Sequence, residues 1–229
     1  MRFLFIRHGE PDYVNDCLTS TGRLQAEAAA ERLACENISE IYASPLGRAQ
    51  ETASYTANLL GQKIITLDFM REIFWGGEGI PNDGHIWTLA DRMLNEDNFD
   101  FFKQDWREHP YFKNNTVMSC YEKVAAGIDD FLKAQGYSHE GRRFFCNQEN
   151  AKTIALFSHG GSGGVALSHI LSLPFPYVLC VFPYTYTSVI AVDFPSRTGE
   201  YVHPRVELFN DAAHIKGLGD ELKIQQKSN

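Results

Sequence analysis

The sequence has 229 residues, of which 44% are hydrophobic and 22% are charged, and its formal net charge is −8. This composition, with a mean hydropathy of −0.29, excludes a disordered chain, a collagen-like chain and a multispan membrane protein. The acidic balance argues against general binding to nucleic acids or anionic membranes, although a small positive pocket remains compatible with it.

The first third of the chain alternates short apolar runs with helical patterns. Phe3 to Ile6 is a continuous apolar run, which predicts a strand buried on both faces. Thr19 is a predicted N-cap for a helix over Arg23 to Leu33. The next predicted elements are a strand over Ile38 to Ala43, a helix over Leu46 to Leu60 that ends at Gly61, and a strand over Ile64 to Leu67.

Regular periodicity is lost between residues 73 and 118, a segment that contains all three tryptophans. An aromatic-rich stretch of mixed character between regular units is typical of an insertion or cap. Two interpretations stay open, because these aromatic side chains can pack against the main core or line a substrate pocket. The aromatic residues are Trp75, Trp87, Phe99, Phe101, Phe102, Trp106, Tyr111 and Phe112.

The last part of the chain returns to regular patterns. They predict a helix over Ser119 to Ala134 and then a polar loop through Asn150. A strand over Thr153 to Phe157 follows, then a glycine-rich turn over Gly160 to Gly164 and a helix over Val165 to Leu171. The last predicted strands cover Thr187 to Phe194 and Arg205 to Phe209. The apolar run from Pro174 to Pro183 belongs either to the core or to an interface.

Strand–helix alternation of this kind predicts an α/β fold with a mostly parallel central sheet and helices on both faces. The length fits one such domain over residues 1–215, with a cap over about 73–118 and a flexible tail over 216–229.

Charged and polar side chains follow several of the predicted strands at the point where each strand ends. Arg7 and His8 follow the first strand, and Arg48 lies shortly after the second. Glu72 comes a few residues after the third strand, and His159 follows the strand that begins at Thr153. Ligands of open α/β sheets bind beyond the carboxyl ends of the strands. We therefore expect these side chains to meet at one edge of the sheet.

Two arginines, two histidines and a glutamate suit phosphoryl transfer. Each guanidinium offers a planar fork that matches two phosphate oxygens, and a neutral imidazole attacks phosphorus without first losing a proton. A nearby carboxyl group gives the leaving alcohol its proton. Because the cations already neutralise the phosphate, we expect neither a metal nor another cofactor. Ordinary packing or surface roles are expected for the remaining histidines: His85, His109, His139, His169, His203 and His214.

The motifs around these residues carry a family resemblance. Together they resemble the histidine phosphatase superfamily, in its phosphoglycerate-mutase-like branch 1, and the similarity runs from residue 1 to about 215. The resemblance implies a phosphoglycerate-mutase-like fold. The motifs are Arg7-His8-Gly9-Glu10, Leu18-Thr19-x-x-Gly22-x-x-Gln25-Ala26, Ser44-Pro45-Leu46-x-Arg48-Ala49-x-x-Thr52-Ala53 and Ser158-His159-Gly160-Gly161.

The resemblance also implies roles for individual residues. His8 is the expected nucleophile that forms a phosphohistidine, and Glu72 is the expected proton donor. The phosphate is expected to be held by Arg7, Arg48 and His159, with Asn15 and Gly160 as further phosphate-binding candidates.

The leading hypothesis is a cofactor-independent phosphomonoesterase, in which water resolves the phosphohistidine of His8. A phosphoglycerate-type mutase is the alternative with the same chemistry, but the stretch after Glu10 and the insertion at 73–118 favour the phosphatase. A serine hydrolase is a distant alternative, since Ser162 lies in a Gly-x-Ser-x-Gly pattern with Asp193 or Asp211 and His203 or His214 after it. A non-catalytic sensor of phosphorylated ligands is the remaining one.

Five widely spaced cysteines without a Cys-x-x-Cys pair are typical of a reducing compartment. The apolar run near Met1 is too short for a signal peptide, so we expect a cytoplasmic enzyme. Its expected partner is a small phosphorylated metabolite, with no nucleic acid and no membrane.

Overall fold

The computed structural model of the protein describes residues 1–80 and 85–218. Its strands are β1 (Arg2–Arg7), β2 (Pro11–Asp12), β3 (Cys17–Leu18), β4 (Glu40–Ala43), β5 (Ile64–Thr66), β6 (Tyr137–Glu140), β7 (Arg143–Cys146), β8 (Thr153–Ser158), β9 (Val189–Asp193), β10 (Tyr201–Val202) and β11 (Arg205–Asp211). Its α-helices are α1 (Ser20–Leu33), α2 (Gly47–Leu60), α3 (Ile86–Asn95), α4 (Pro110–Lys113), α5 (Val117–Ala134), α6 (Gly160–Leu171) and α7 (Phe175–Val181).

The central sheet has six strands in the order β11-β9-β1-β8-β4-β5. Strands β1, β8, β4 and β5 are mutually parallel, whereas β9 runs antiparallel to β1 and β11 antiparallel to β9. The prediction of a mostly parallel sheet is confirmed. The pairing aligns Arg7 with Ser158 and Ala43 with Phe157, so β1, β8 and β4 end at the same edge. The residues that follow these ends, His8, His159 and Ser44, are therefore neighbours.

Strand β1 is buried on both faces, as its continuous apolar run predicts. Phe3 and Phe5 belong to the larger hydrophobic cluster, which includes residues of α5 and α6. Leu4 and Ile6 point to the opposite face and join the smaller cluster, which includes residues of α1 and α2. Successive side chains of a strand alternate between faces, so a run without polar residues requires a core on each side.

The predicted ends of the first two helices are found in the structure. The hydroxyl of Thr19 accepts a hydrogen bond from the backbone N–H of Gly22 at 3.0 Å, which makes Thr19 the N-cap of α1. Gly61 ends α2 with a φ of 65°, a left-handed conformation that glycine adopts without a steric penalty.

Two predictions for the later part of the chain are wrong. The segment predicted as a polar loop through Asn150 contains the antiparallel hairpin β6–β7, which β10 extends to three strands. The predicted turn over Gly160 to Gly164 is instead the beginning of α6, which starts at Gly160. Gly161 and Gly163 serve close packing there, since a Cβ atom would lie 2.3 Å from Ile73 Cγ1 and 2.4 Å from Tyr184 Cε1, respectively.

The segment over 73–118 contains α3 and α4, and its three tryptophans lie in different surroundings. Trp106 is buried and packs edge-on against Phe112 and Tyr121, so this part of the segment belongs to the main core. The apolar run from Pro174 to Pro183 forms α7, whose Phe175 is buried in the same cluster. Part of the predicted cap, residues 81–84, and most of the predicted tail, residues 219–229, lie outside the described residues.

Within the described part of the chain, no single helix is long and apolar enough to cross a membrane. Helices α6 and α7 together reach the required length and apolarity, but they are bent by 117° relative to each other.

Candidate active site

His8 follows the carboxyl end of β1 and is 1% exposed. Its Nδ1 lies 2.7 Å from the carbonyl oxygen of Gly9. A carbonyl oxygen only accepts hydrogen bonds, so Nδ1 carries the proton and Nε2 keeps its lone pair. Burial lowers the pKa of His8 well below its ordinary value, and the nearby charges of Arg7 and Arg48 lower it further. The ring is therefore a neutral base with a free Nε2.

His159 follows β8 at the same edge, with its ring centroid 5.1 Å from that of His8. Its Nε2 lies 2.7 Å from the hydroxyl oxygen of Ser44, the residue that follows β4. Burial lowers the pKa of His159 well below its ordinary value, with further contributions from His8, Arg48 and Arg7. The Nδ1 atom of His159 is buried and has no hydrogen-bond partner among the described residues.

Two buried guanidinium groups complete the cationic part of the site. Arg7 is 4% exposed and donates from Nη1 to the carbonyl oxygen of Tyr184 at 2.6 Å, while its guanidinium carbon lies 4.3 Å from the ring centroid of Tyr186. Arg48 is 8% exposed, and its Nη1 lies 2.5 Å from Oδ1 of Asp16. The Nε atoms of both arginines are buried without a hydrogen-bond partner in the described structure. Together with Nδ1 of His159 they form a set of buried nitrogens without hydrogen-bond partners.

The side-chain carboxylate of Glu72 caps the N-terminal end of α6. Its Oε1 accepts hydrogen bonds from the backbone N–H groups of Ser162 and Ile73, both at 2.9 Å, and its Oε2 accepts one from Gly161 at 3.3 Å. Burial raises the pKa of Glu72, while these hydrogen bonds and the charge of Arg7 act in the opposite direction. Arg71, its neighbour in sequence, lies outside this site because its side chain is exposed and 3.8 Å from Asp68.

The structure does not bring Asn15 to the site. Its side chain is exposed and donates to Oδ2 of Asp12 at 2.7 Å. The adjacent Asp16 takes the position beside the arginine instead, since its Oδ2 accepts the backbone N–H of Gly47 at 2.7 Å while Oδ1 contacts Arg48. The sequence argument missed Asp16 because the conformation of this loop is fixed by its contacts with α2, which begins 31 residues further along the chain.

Gly160, the other additional candidate, does lie at the site. A Cβ atom at this position would lie 3.6 Å from Cζ of Arg7 and 3.7 Å from Cζ2 of Trp87. Trp87 belongs to α3 and packs against the rings of Trp75 and His85. Trp106 thus belongs to the core, whereas Trp87 lies beside Gly160 at the candidate site.

The contacts of Ser162 do not support a serine hydrolase. Its hydroxyl is buried inside α6 and donates to the carbonyl oxygen of Met70 at 3.1 Å. Of the proposed partners, Asp211 pairs with Arg32, and His214 contacts Thr187.

Comparison with known proteins identifies the family. The profile of the histidine phosphatase superfamily (branch 1) matches residues 3–207. The chain belongs to this superfamily. The resemblance carried by the four motifs is therefore confirmed.

Its relatives carry both mutase and phosphatase names. A probable phosphoglycerate mutase of Yersinia enterocolitica is 32% identical over an alignment of 191 residues, and the match covers 76% of this chain and 76% of that one. A phosphoserine phosphatase of Entamoeba histolytica, solved with 3-phosphoglyceric acid, is 24% identical with a TM-score of 0.64 over 93% of this chain and 98% of that one. An α-ribazole phosphatase of Shigella flexneri is 19% identical with a TM-score of 0.61 over 93% and 97%. The solved structures confirm the phosphoglycerate-mutase-like fold.

Two glycines of this histidine phosphatase chain hold the loop after β1 against α1. A Cβ atom on Gly9 would lie 2.6 Å from the carbonyl oxygen of Gly22, and one on Gly22 would lie 2.1 Å from that of Glu10. The backbone N–H of Glu10 donates to Gln25 at 2.7 Å, and that of Gly9 donates to Thr52 at 3.1 Å. These motif residues therefore position the loop that follows His8, and the carbonyl oxygen of Gly9 also accepts the hydrogen bond from Nδ1 of His8.

Proposed function

We propose that this protein is a phosphomonoesterase that hydrolyses a small phosphorylated substrate through a phosphohistidine on Nε2 of His8. The observation that carries the proposal is the bond between His8 Nδ1 and the carbonyl oxygen of Gly9, which directs the lone pair to Nε2. Buried, unpartnered donors of Arg7, Arg48 and His159 lie on the same edge of the sheet and suit a phosphate dianion.

In the first half of the proposed reaction, the Nε2 lone pair of His8 forms a bond to phosphorus. The ester P–O bond breaks, and its electron pair leaves with the alcohol oxygen. The protonated carboxyl group of Glu72 gives that oxygen its proton, for which a raised pKa is favourable. Arg7, Arg48 and His159 stabilise the negative charge on the equatorial oxygens, which is the main requirement of phosphoryl transfer.

In the second half, water attacks phosphorus and the N–P bond breaks, so the electron pair returns to Nε2. The carboxylate of Glu72 accepts the proton of this water and is ready for the next turnover. The arginines supply the positive charge in both halves, and the proposed reaction uses no metal.

The matched mutase supports a second candidate, in which the phosphoryl group of His8 returns to another position of the same substrate. Both candidates share the chemistry at His8 and differ in the access of water to the phosphoenzyme. We favour the phosphatase on the names of the solved structures that the chain resembles. The solved neighbours named above are phosphatases.

The experiment that distinguishes the phosphatase from the mutase compares the release of inorganic phosphate with the interconversion of phosphoglycerates. Purified protein is incubated with p-nitrophenyl phosphate and with a panel of phosphorylated metabolites, and inorganic phosphate is measured beside phosphoglycerate interconversion. A phosphatase releases phosphate from several compounds. Interconversion with negligible phosphate release would instead establish the mutase.

A further experiment tests the nucleophile. Quenching with detergent at alkaline pH during turnover should trap an acid-labile, base-stable phosphoenzyme, and peptide mapping at alkaline pH should place the phosphoryl group on His8. The His8→Ala variant should give no phosphoenzyme. A phosphohistidine at another position would refute the assignment.

We also propose a cytoplasmic location. Five free thiols support it, because scattered unpaired cysteines persist in a reducing compartment.

A further inference from the structure

Three side chains converge outside the active site, at a place where helix α5, strand β6 and helix α6 meet. Asp129 lies on α5, His139 on β6 and His169 on α6. Oδ1 of Asp129 lies 2.8 Å from Nδ1 of His139 and 2.8 Å from Nε2 of His169, and the two nitrogens are 3.2 Å apart. Among residues 1–80 and 85–218 no other group of three His, Cys, Asp or Glu side chains converges in this way.

The three atoms match the donor set of a transition-metal site. Imidazole nitrogens and a carboxylate oxygen are ordinary ligands of Zn²⁺, at about 2.0–2.2 Å from the ion. The triangle formed by the three atoms has a circumradius of about 1.7 Å, so a point about 2.05 Å from all of them lies about 1.1 Å above its plane. A position at bonding distance from all three atoms therefore exists without a change of backbone.

The arrangement satisfies hydrogen bonding less well than it satisfies metal binding. Both imidazole nitrogens face the same carboxylate oxygen, and they also face each other at 3.2 Å. Two N–H donors that converge on one acceptor repel each other, whereas two lone pairs that converge on a cation are both used.

We propose that Asp129, His139 and His169 bind a divalent transition-metal ion, with Zn²⁺ favoured by the ligand types. The Asp129 side chain is 40% exposed, whereas those of His139 and His169 are 10% and 19% exposed. The exposed side of the site leaves room for water as a fourth ligand, and it gives the ion a path from solvent.

The surrounding structure supports a cation at this place. The ring of His139 stacks on Phe144 with a centroid distance of 4.3 Å and an interplanar angle of 12°, which fixes the ring orientation. His169 lies in the last turn of α6, where the carbonyl groups of the helix end favour positive charge.

The role of the ion is structural. His169 is nine residues beyond Gly160 on α6, which places the site about 14 Å along the helix from the catalytic end. At that distance the ion takes no part in phosphoryl transfer. It instead links α5 and α6 to the hairpin β6–β7, and such a cross-link stabilises the folded chain when the metal binds the unfolded chain more weakly.

The test measures binding of Zn²⁺ and Co²⁺ to the full chain after removal of metals with a chelator. Calorimetry and the metal content after gel filtration should give one ion per chain, and bound Co²⁺ should show the visible absorption of a low-coordinate site. At a metal concentration about 100 times Kd, Tm should rise by about 5–10 °C. The rate of p-nitrophenyl phosphate hydrolysis should not depend on this ion.

Matched variants locate the site. Asp129→Asn, His139→Ala and His169→Ala should each lose the stoichiometric ion and the Tm increase. Asp130→Asn changes the neighbouring exposed aspartate and His203→Ala an exposed histidine, and both should bind metal as the unaltered chain does. Asp129→Asn is the informative variant if a histidine variant fails to fold, since its side chain is partly exposed.

Two results would overturn the proposal. One is the absence of stoichiometric binding of Zn²⁺ and Co²⁺ by the folded, unaltered chain. The other is equal binding by the folded Asp129→Asn variant and the unaltered chain, which would place the ion elsewhere, for example on the free cysteines.

Discussion

Replacement of Glu72 by glutamine tests the proton donor while it preserves most of the local structure. In Glu72→Gln, the side-chain carbonyl oxygen can take the place of Oε1 and keep both 2.9 Å hydrogen bonds, from Ser162 and Ile73. Only the 3.3 Å bond from Gly161 to Oε2 is lost, because the new amide group is a donor. The variant should therefore fold normally and lose the titratable proton.

The effect should depend on the leaving group. General acid catalysis contributes typically about 10²- to 10⁴-fold, which corresponds to about 2.7–5.5 kcal/mol of transition-state stabilisation. Alkyl phosphates need this proton, so kcat/KM for an alkyl substrate should fall by about that factor. The p-nitrophenolate ion leaves without a proton, and the loss with p-nitrophenyl phosphate should be less than about tenfold.

The pH profile gives a second measurement. Burial raises the pKa of Glu72, and the acid form is lost as pH rises through that value. The basic limb of the alkyl phosphate profile should therefore be absent in Glu72→Gln. Glu40→Gln, at the opposite end of β4, is the control and should change neither substrate. Equal losses for alkyl and aryl substrates in Glu72→Gln would show that Glu72 only holds the end of α6.

Four further outcomes follow from the geometry. Arg48→Lys should lower kcat/KM by about 10- to 100-fold, because one ammonium replaces a charge-assisted fork; near-normal turnover would count against the phosphate clamp. Gly161→Ala should impair alkyl phosphate hydrolysis, because the new Cβ would lie 2.6 Å from Glu72 Oε1. Gly164→Ala is the control: the nearest atom to its Cβ would be 3.7 Å away, so this variant should be active and at least as stable as the unaltered chain. Asp16→Asn should lower the inhibition constant of inorganic phosphate about 2- to 5-fold, because the carboxylate of Asp16 no longer competes with phosphate for Arg48. An unchanged inhibition constant, or an equal change in Asp12→Asn, would contradict this. His8 and His159 are buried and neutral, and their pKa values in the folded chain lie below the ordinary 6.5. The unfolded chain therefore binds more protons, and the free energy of unfolding should fall as pH drops below 6.5, by up to about 1.4 kcal/mol per pH unit for each histidine. Denaturant titrations of His159→Gln should show a shallower decline of this free energy with falling pH.

The central features of the candidate site follow from rules that act locally or along a strand. A continuous apolar run gives a strand buried on both faces, and parallel strands end at one edge, so His8 and His159 were predicted to be neighbours. The loop after Glu10 was less predictable. Asn15 and Asp16 are adjacent polar residues, and only the distant contact with Gly47 and Arg48 decides which of them faces the site.

Contacts between residues distant in sequence also account for the other differences between the predicted and the observed structure. In sequence, the glycines at the start of α6 are typical of a turn. In the structure, Gly161 and Gly163 pack so closely against Ile73 and Tyr184 that a Cβ atom would not fit. The metal-site residues are separated by 10 and 30 positions and belong to three elements, so no local spacing reveals them. Their convergence is a product of the tertiary packing of α5, β6 and α6.

Helix α6 connects the two sites and has opposite polarity at its ends. Its first N–H groups, at Gly161 and Ser162, donate to the carboxylate of Glu72. Its last turn carries His169, where a cation is proposed to bind. The helix dipole favours negative charge at the first end and positive charge at the second, so each ligand is placed where the helix stabilises it. Because this preference decays within the terminal turns, the metal should affect unfolding of α6 far more than chemistry at His8.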